Sequence, residues 1–110
     1  MTGSDQNDSM NVVLDAHGVL VVHGDIDIAG GPVLEAAIEA LAADQPVVID
    51  LADVFFIDSS GLRRLLGASR RARLHGAEVT LRNVGAEVAR LLQITATTDQ
   101  FTIESTRASS

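Results

Sequence analysis

Short runs of valine, isoleucine and leucine alternate along this chain with longer segments whose apolar residues recur every three or four positions. No other feature of the sequence constrains the fold as tightly. A side-chain period of two belongs to a strand and a period near 3.6 to a helix. Strands separated by helices pair in parallel through right-handed crossovers, which gives an α/β domain.

Asn11 to Ala16 and Val19 to His23 read as strands joined by the turn His17-Gly18, an antiparallel hairpin. Gly24 to Ile28 is a loop with alternating acids, Asp25 and Asp27. Gly30-Gly31-Pro32 opens a helix, with proline expected at its first position, and Leu34, Ala37, Ile38 and Leu41 form its apolar face. Val47 to Leu51 has the continuous apolar character of a buried strand. Val54 to Ile57 reads as a second extended piece, broken by Asp58-Ser59-Ser60-Gly61. The next helix is expected from about Ser60 to Leu74, with Leu62, Leu65, Leu66, Ser69 and Ala72 inward and Gly76 as its stop. Glu78 to Leu81 is a further strand, Val84, Val88, Leu91 and Leu92 mark a short helix, and Phe101 to Ile103 is the candidate for a last edge strand. The expected fold is one small α/β domain: a single mixed sheet, mostly parallel with an antiparallel first hairpin, and helices packed on it. The domain is expected over residues 10–103, between disordered tails at 1–9 and 104–110.

Composition removes several classes of function. The eight basic residues are all arginine, so a P-loop lysine and a Schiff-base lysine are excluded. Cysteine is absent, which rules out disulfides and thiolate metal sites. A net charge of −7 argues against nucleic acid and anionic membranes as partners. The N-terminus lacks a signal-peptide pattern, and no run approaches the roughly 18 apolar residues of a membrane span. The expectation is a cytoplasmic protein. No Gly-x-Ser-x-Gly elbow, P-loop or metal-ligand set is present, so no enzyme, cofactor or metal is expected.

Chemistry concentrates at Asp58-Ser59-Ser60-Gly61, where a strand gives way to a helix. Such junctions lie at the carboxyl edge of a sheet, where α/β proteins place function. Asp and Ser are also the preferred helix caps, and capping accounts for one of these residues, either the aspartate or a serine. Three polar residues together before a glycine ask for more. A phosphate on Ser59 adds about −1.5 to −2 charge, which a helix start tolerates, so modification is expected to alter the surface and not the fold.

Val47 to Leu51 followed by Phe56-Ile57-Asp58-Ser59-Ser60-Gly61-Leu62 resembles the signature of STAS domains of the bacterial anti-sigma factor antagonist family. Gly24-Asp25-Ile26-Asp27 resembles that family's element before the first helix, and Asn83-Val84, Leu91 to Thr95, Phe101 and Ile103 resemble its C-terminal segment. The resemblance covers roughly residues 12–103. It implies that the unphosphorylated protein binds an anti-sigma factor and so frees a sigma factor. It implies further that this partner is often an ATP-dependent serine kinase acting on the motif's first serine, here Ser59, and that a serine phosphatase reverses the step. Asp58, Ser60 and Gly61 are then support for the switch loop. Gly30-Gly31 stands where family members often carry Thr or Ser, and Ala96 to Asp99 replaces the usual Gly-Leu-Asp. Both departures leave the partner's identity open. The alternative reading is a STAS subunit of a stress-signalling or transport assembly, or a small-ligand sensor.

Candidate partner-binding residues are Asp25, Asp27, Gly30, Gly31, Phe55, Arg63 and Arg64. Asp25 and Asp27 read as solvated loop acids at the partner surface, with no further ligands for a metal. Period-two alternation assigns Phe55 to the core, with a partner anchor beside Ser59 as the second reading. Arg63, Arg64, Arg70, Arg71 and Arg73 read as a solvated helix face, with a basic stripe for an acidic partner as the alternative. His17, His23 and His75 have no metal spacing.

Overall fold

The computed structural model describes residues 10–41 and 44–104. Five strands form one sheet in the order β1-β2-β3-β4-β5: β1 (Asn11–Leu14), β2 (Val19–His23), β3 (Val47–Asp53), β4 (Val79–Arg82) and β5 (Thr102–Glu104). β1 pairs antiparallel with β2, and every later pair is parallel. Helices α1 (Gly30–Glu39), α2 (Ser59–Leu74) and α3 (Ala86–Ile94) fill the crossovers, and a short 3-10 turn spans Thr98–Gln100 before β5. The mixed α/β sheet read from the sequence is therefore the one observed. Of the tails expected at 1–9 and 104–110, residues 1–9 and 105–110 lie outside the described residues, but Glu104 belongs to β5 and its carboxylate accepts from Arg82 Nε at 2.6 Å.

Alternation along the strands sets the core. Val47, Ile49 and Leu51 of β3, Val79 and Leu81 of β4, and Leu20 and Val22 of β2 are buried against Leu34 of α1 and Leu62, Leu65 and Ala72 of α2. Val88 and Leu92 of α3 and Phe101 join the same cluster. Ser69 is fully buried, and its hydroxyl donates to the Gln100 carbonyl, which ties α2 to the 3-10 turn.

Most element ends fall within two residues of the sequence reading, and two differences bear on the site. α1 begins at Gly30, so Pro32 is its third residue. The helix starts earlier because the Asp27 carboxylate accepts from the backbone N–H groups of Ala29 (3.1 Å) and Gly30 (2.8 Å). Proline anywhere in that first turn forfeits only an N–H that lacks a helical partner. The stretch Val54–Ile57 is not a second strand. β3 runs on to Asp53, the chain then turns through a Val54 N–H to Leu51 carbonyl bond of 3.0 Å, and Ile57 keeps a single parallel bridge to Ile26.

Candidate functional site

Parallel strands carry their helices' N-termini to one edge, the carboxyl edge of the sheet. Here β2 ends at His23, β3 ends at Asp53, and α1 and α2 begin at Gly30 and Ser59. Two loops meet at that edge and are stitched together by backbone. The Ile26 N–H donates to the Phe56 carbonyl at 3.1 Å, the Asp58 N–H to the Ile26 carbonyl at 3.2 Å, and the Gly24 N–H to the Asp53 carbonyl at 3.3 Å.

Ser59 is the first residue of α2 and is exposed. The helix is capped by Asp58, whose Oδ1 accepts from the Gly61 N–H at 2.8 Å. The Ser59 hydroxyl is thus spared from capping. Ser60 is half-buried beside it. Gly61 is buried because α2 starts hard against the β2–α1 loop: a Cβ at position 61 would collide with the Ile26 carbonyl oxygen and lie 2.7 Å from Ile26 Cγ2. Asp58, Ser59, Ser60 and Gly61 therefore sit together in one turn.

The other candidates divide. Asp25 is exposed on the same edge. Asp27 is half-buried and is not a free loop acid, since its side chain caps α1. Gly30 and Gly31 are buried: a Cβ on Gly30 would stand 2.8 Å from the Asp25 carbonyl oxygen, and one on Gly31 2.9 Å from Arg64 Cγ. These two glycines allow α1 to sit close to its neighbours, and little of either is open to a partner. Arg64 is drawn aside to Glu35 of α1 at 2.6 Å, and Arg71 likewise to Glu39 at 2.9 Å. The arginine row is therefore in part a link between helices, because α1 lies beside α2 and brings its glutamates into reach. Arg63 stays exposed and makes no ion pair among the described residues.

Phe55 overturns the assignment to the core, being 74% exposed. The turn after Asp53 breaks the period of two, so burial passes from Val54 to Ile57 and leaves both intervening phenylalanines outside. Phe56 and Ile28, which the sequence reading passed over, are 52% and 77% exposed on the same edge. Ile28 carried a signal as a large apolar residue directly after Asp27 in a loop, whereas Phe56 stands between Phe55 and Ile57 and carried none. Ser59 thus stands on an edge that also exposes Ile28, Phe55 and Phe56, with the acids Asp25, Asp53 and Asp58. Among the described residues no cluster of three metal-ligating side chains occurs, and no helix is long and apolar enough to cross a membrane. His23 is held by Asp53, Nδ1 to Oδ2 at 2.6 Å.

Comparison with known proteins gives a consistent picture. Residues 9–110 match the STAS domain family. The anti-sigma-B factor antagonist of Listeria monocytogenes is 31% identical over 90 residues, 80% of this chain and 79% of that one. Its counterpart in Bacillus subtilis is 32% identical over 79 residues, 71% of this chain and 72% of that one. The crystal structure of an anti-sigma factor antagonist from Mycobacterium paratuberculosis superposes with a TM-score of 0.74 at 31% identity, covering 87% of this chain and 86% of that one.

Proposed function

The chain belongs to the STAS domain family, as one of its anti-sigma factor antagonists, and from that premise we propose that Ser59 is its switch. In the unmodified form the edge around Ser59 binds an anti-sigma factor and a sigma factor is freed. Phosphorylation of Ser59 ends the binding. The observation that carries this reading is the exposed, uncommitted Ser59 hydroxyl at the start of α2, on an edge that also exposes Ile28, Phe55 and Phe56. Exposed aromatic side chains are the usual anchors of a protein interface. A serine among them is well placed to veto the interface.

The anti-sigma factor is proposed to be an ATP-dependent serine kinase. The Ser59 oxygen takes the γ-phosphoryl group, ADP leaves, and the hydroxyl proton passes to a base on the kinase. A serine phosphatase returns the hydroxyl. The chain is a substrate and ligand in this cycle, not a catalyst, and it works in the cytoplasm. Asp58 is engaged with the Gly61 N–H and supports the loop. An unpaired charge buried at an interface costs about 2–5 kcal/mol. At about 1.4 kcal/mol per tenfold, affinity falls roughly a hundredfold or more.

Incubation with the partner kinase and ATP is expected to add one phosphate, at Ser59, and to release the complex. Ser59→Ala is expected to bind constitutively with or without ATP. Phosphopeptide mapping to Ser60 or Ser4, or release of the Ser59→Ala complex by ATP, overturns the assignment.

A further inference from the structure

We propose that Arg63 is the receptor for the phosphate on Ser59, an intrahelical clamp that holds the modified side chain down on α2. The proposal rests on the reading of Ser59 as the phosphoacceptor.

Ser59 and Arg63 are both exposed residues of α2, four positions apart. That spacing makes them neighbours on one helix face. Helical side chains lean toward the turn N-terminal to their own Cα, so Arg63 extends over the turn that holds Ser59. Arg63 also makes no ion pair among the described residues. Arg64 and Arg71 hold Glu35 and Glu39, Arg73 donates to the Asp99 carbonyl at 2.9 Å, and Arg82 holds Glu104. Arg70 and Arg90 likewise make no ion pair among the described residues, but Arg70 lies near the far end of α2 and Arg90 lies on α3.

The surroundings favour a clamp. The edge exposes Asp25 and Asp53, and Asp58 immediately precedes the acceptor. A phosphate bearing about −1.5 to −2 charge arrives among like charges, and Arg63 is the cation within one turn. A guanidinium presents two parallel N–H groups that suit phosphate oxygens. The consequence is a double change from one modification. In the unmodified protein Arg63 is free to meet a carboxylate on the partner. Once Ser59 is phosphorylated, that cation is withdrawn as the anion appears, so attraction is lost while repulsion is added.

Phosphoserine installed at position 59 by genetic encoding, with no kinase involved, tests the clamp by 31P NMR titration. The phosphate's second ionisation is expected at lower pH in the native sequence than in Arg63→Gln, by about 0.2–0.4 unit, the size of an exposed i,i+4 pair. Arg63→Lys is expected to recover part of the difference, and high salt to erase it. Equal midpoints in native and Arg63→Gln proteins at low salt, or an equal displacement by Arg70→Gln, defeat the clamp. Kinase mapping to another serine defeats the Ser59 reading and leaves this titration unaffected, so the two failures are separable.

Discussion

Asp58 and Ser59 divide two tasks that one polar side chain at a helix start might be asked to share. Asp58 satisfies the Gly61 N–H, and the Ser59 hydroxyl makes no hydrogen bond among the described residues. Asp58→Ala is therefore expected to lower stability by about 0.5–2 kcal/mol, whereas Ser59→Ala stays within about 0.5 kcal/mol of the native protein. Denaturant unfolding of the two variants decides the matter, and equal losses would show that the cap is shared. Gly61 is constrained more tightly than either. Gly61→Ala forces a methyl group into the Ile26 carbonyl, and a loss of about 1–3 kcal/mol or more is expected as α2 shifts. The Asp-Ser-Ser-Gly cluster could be found in the sequence because strand-end, cap and helix signals coincide there. The reason for its glycine could not, since it depends on a carbonyl at Ile26, remote in sequence.

At the scale of elements, α1 and α2 are cross-linked by a charge ladder, Glu35 to Arg64 and Glu39 to Arg71. Arg64→Ala with Arg71→Ala is expected to reduce stability by about 0.2–1 kcal/mol per pair, with the difference fading at high salt. Thermal unfolding at two salt concentrations checks this, and unchanged stability with lost partner binding would return these arginines to the interface. A carboxylate in the β1–β2 turn links stability to pH. Asp15 accepts from the Val19 N–H at 2.9 Å and the His17 N–H at 2.8 Å, and these bonds, Val19 first, hold its carboxyl below its ordinary value. A depressed folded-state pKa adds stability that is complete above the unfolded value and is lost as pH falls through the folded one. Amide exchange at His17 and Val19 is accordingly expected to quicken relative to the core on acidification below the usual aspartate range, and Asp15→Asn to abolish that dependence. Most element positions followed from periodicity alone. Phe55 did not, because the sharp turn after β3 resets the alternation. The ladder did not either, because a helical wheel drawn for α2 by itself omits its neighbour.

For the whole molecule, the placement of Ser59 decides what a phosphate there is expected to do. The hydroxyl is exposed and makes no hydrogen bond among the described residues, so adding a phosphate breaks none of theirs. Phosphorylated and unmodified forms are expected to unfold at nearly the same temperature, the former slightly higher, while their affinities for the partner differ by roughly a hundredfold or more. A large fall in melting temperature on phosphorylation, or chemical-shift changes spread far from α2, would mean that the fold itself is switched. Ser59→Asp, with one charge and a shorter reach, is expected to weaken binding only in part. The alternating order of elements announced this architecture, but which loop residues gather at the carboxyl edge became visible only once β2 and β3 were side by side. That gathering bears on what a fragment of the chain can do. The seat of Ser59 is closed by the Ile26–Ile57 bridge and the two backbone bonds around it, which join residues far apart in the sequence, so a short peptide cut from around the motif carries the serine without the frame that displays it. An unfolded copy has the motif but does not present it, and recognition of Ser59 is expected to require the folded molecule.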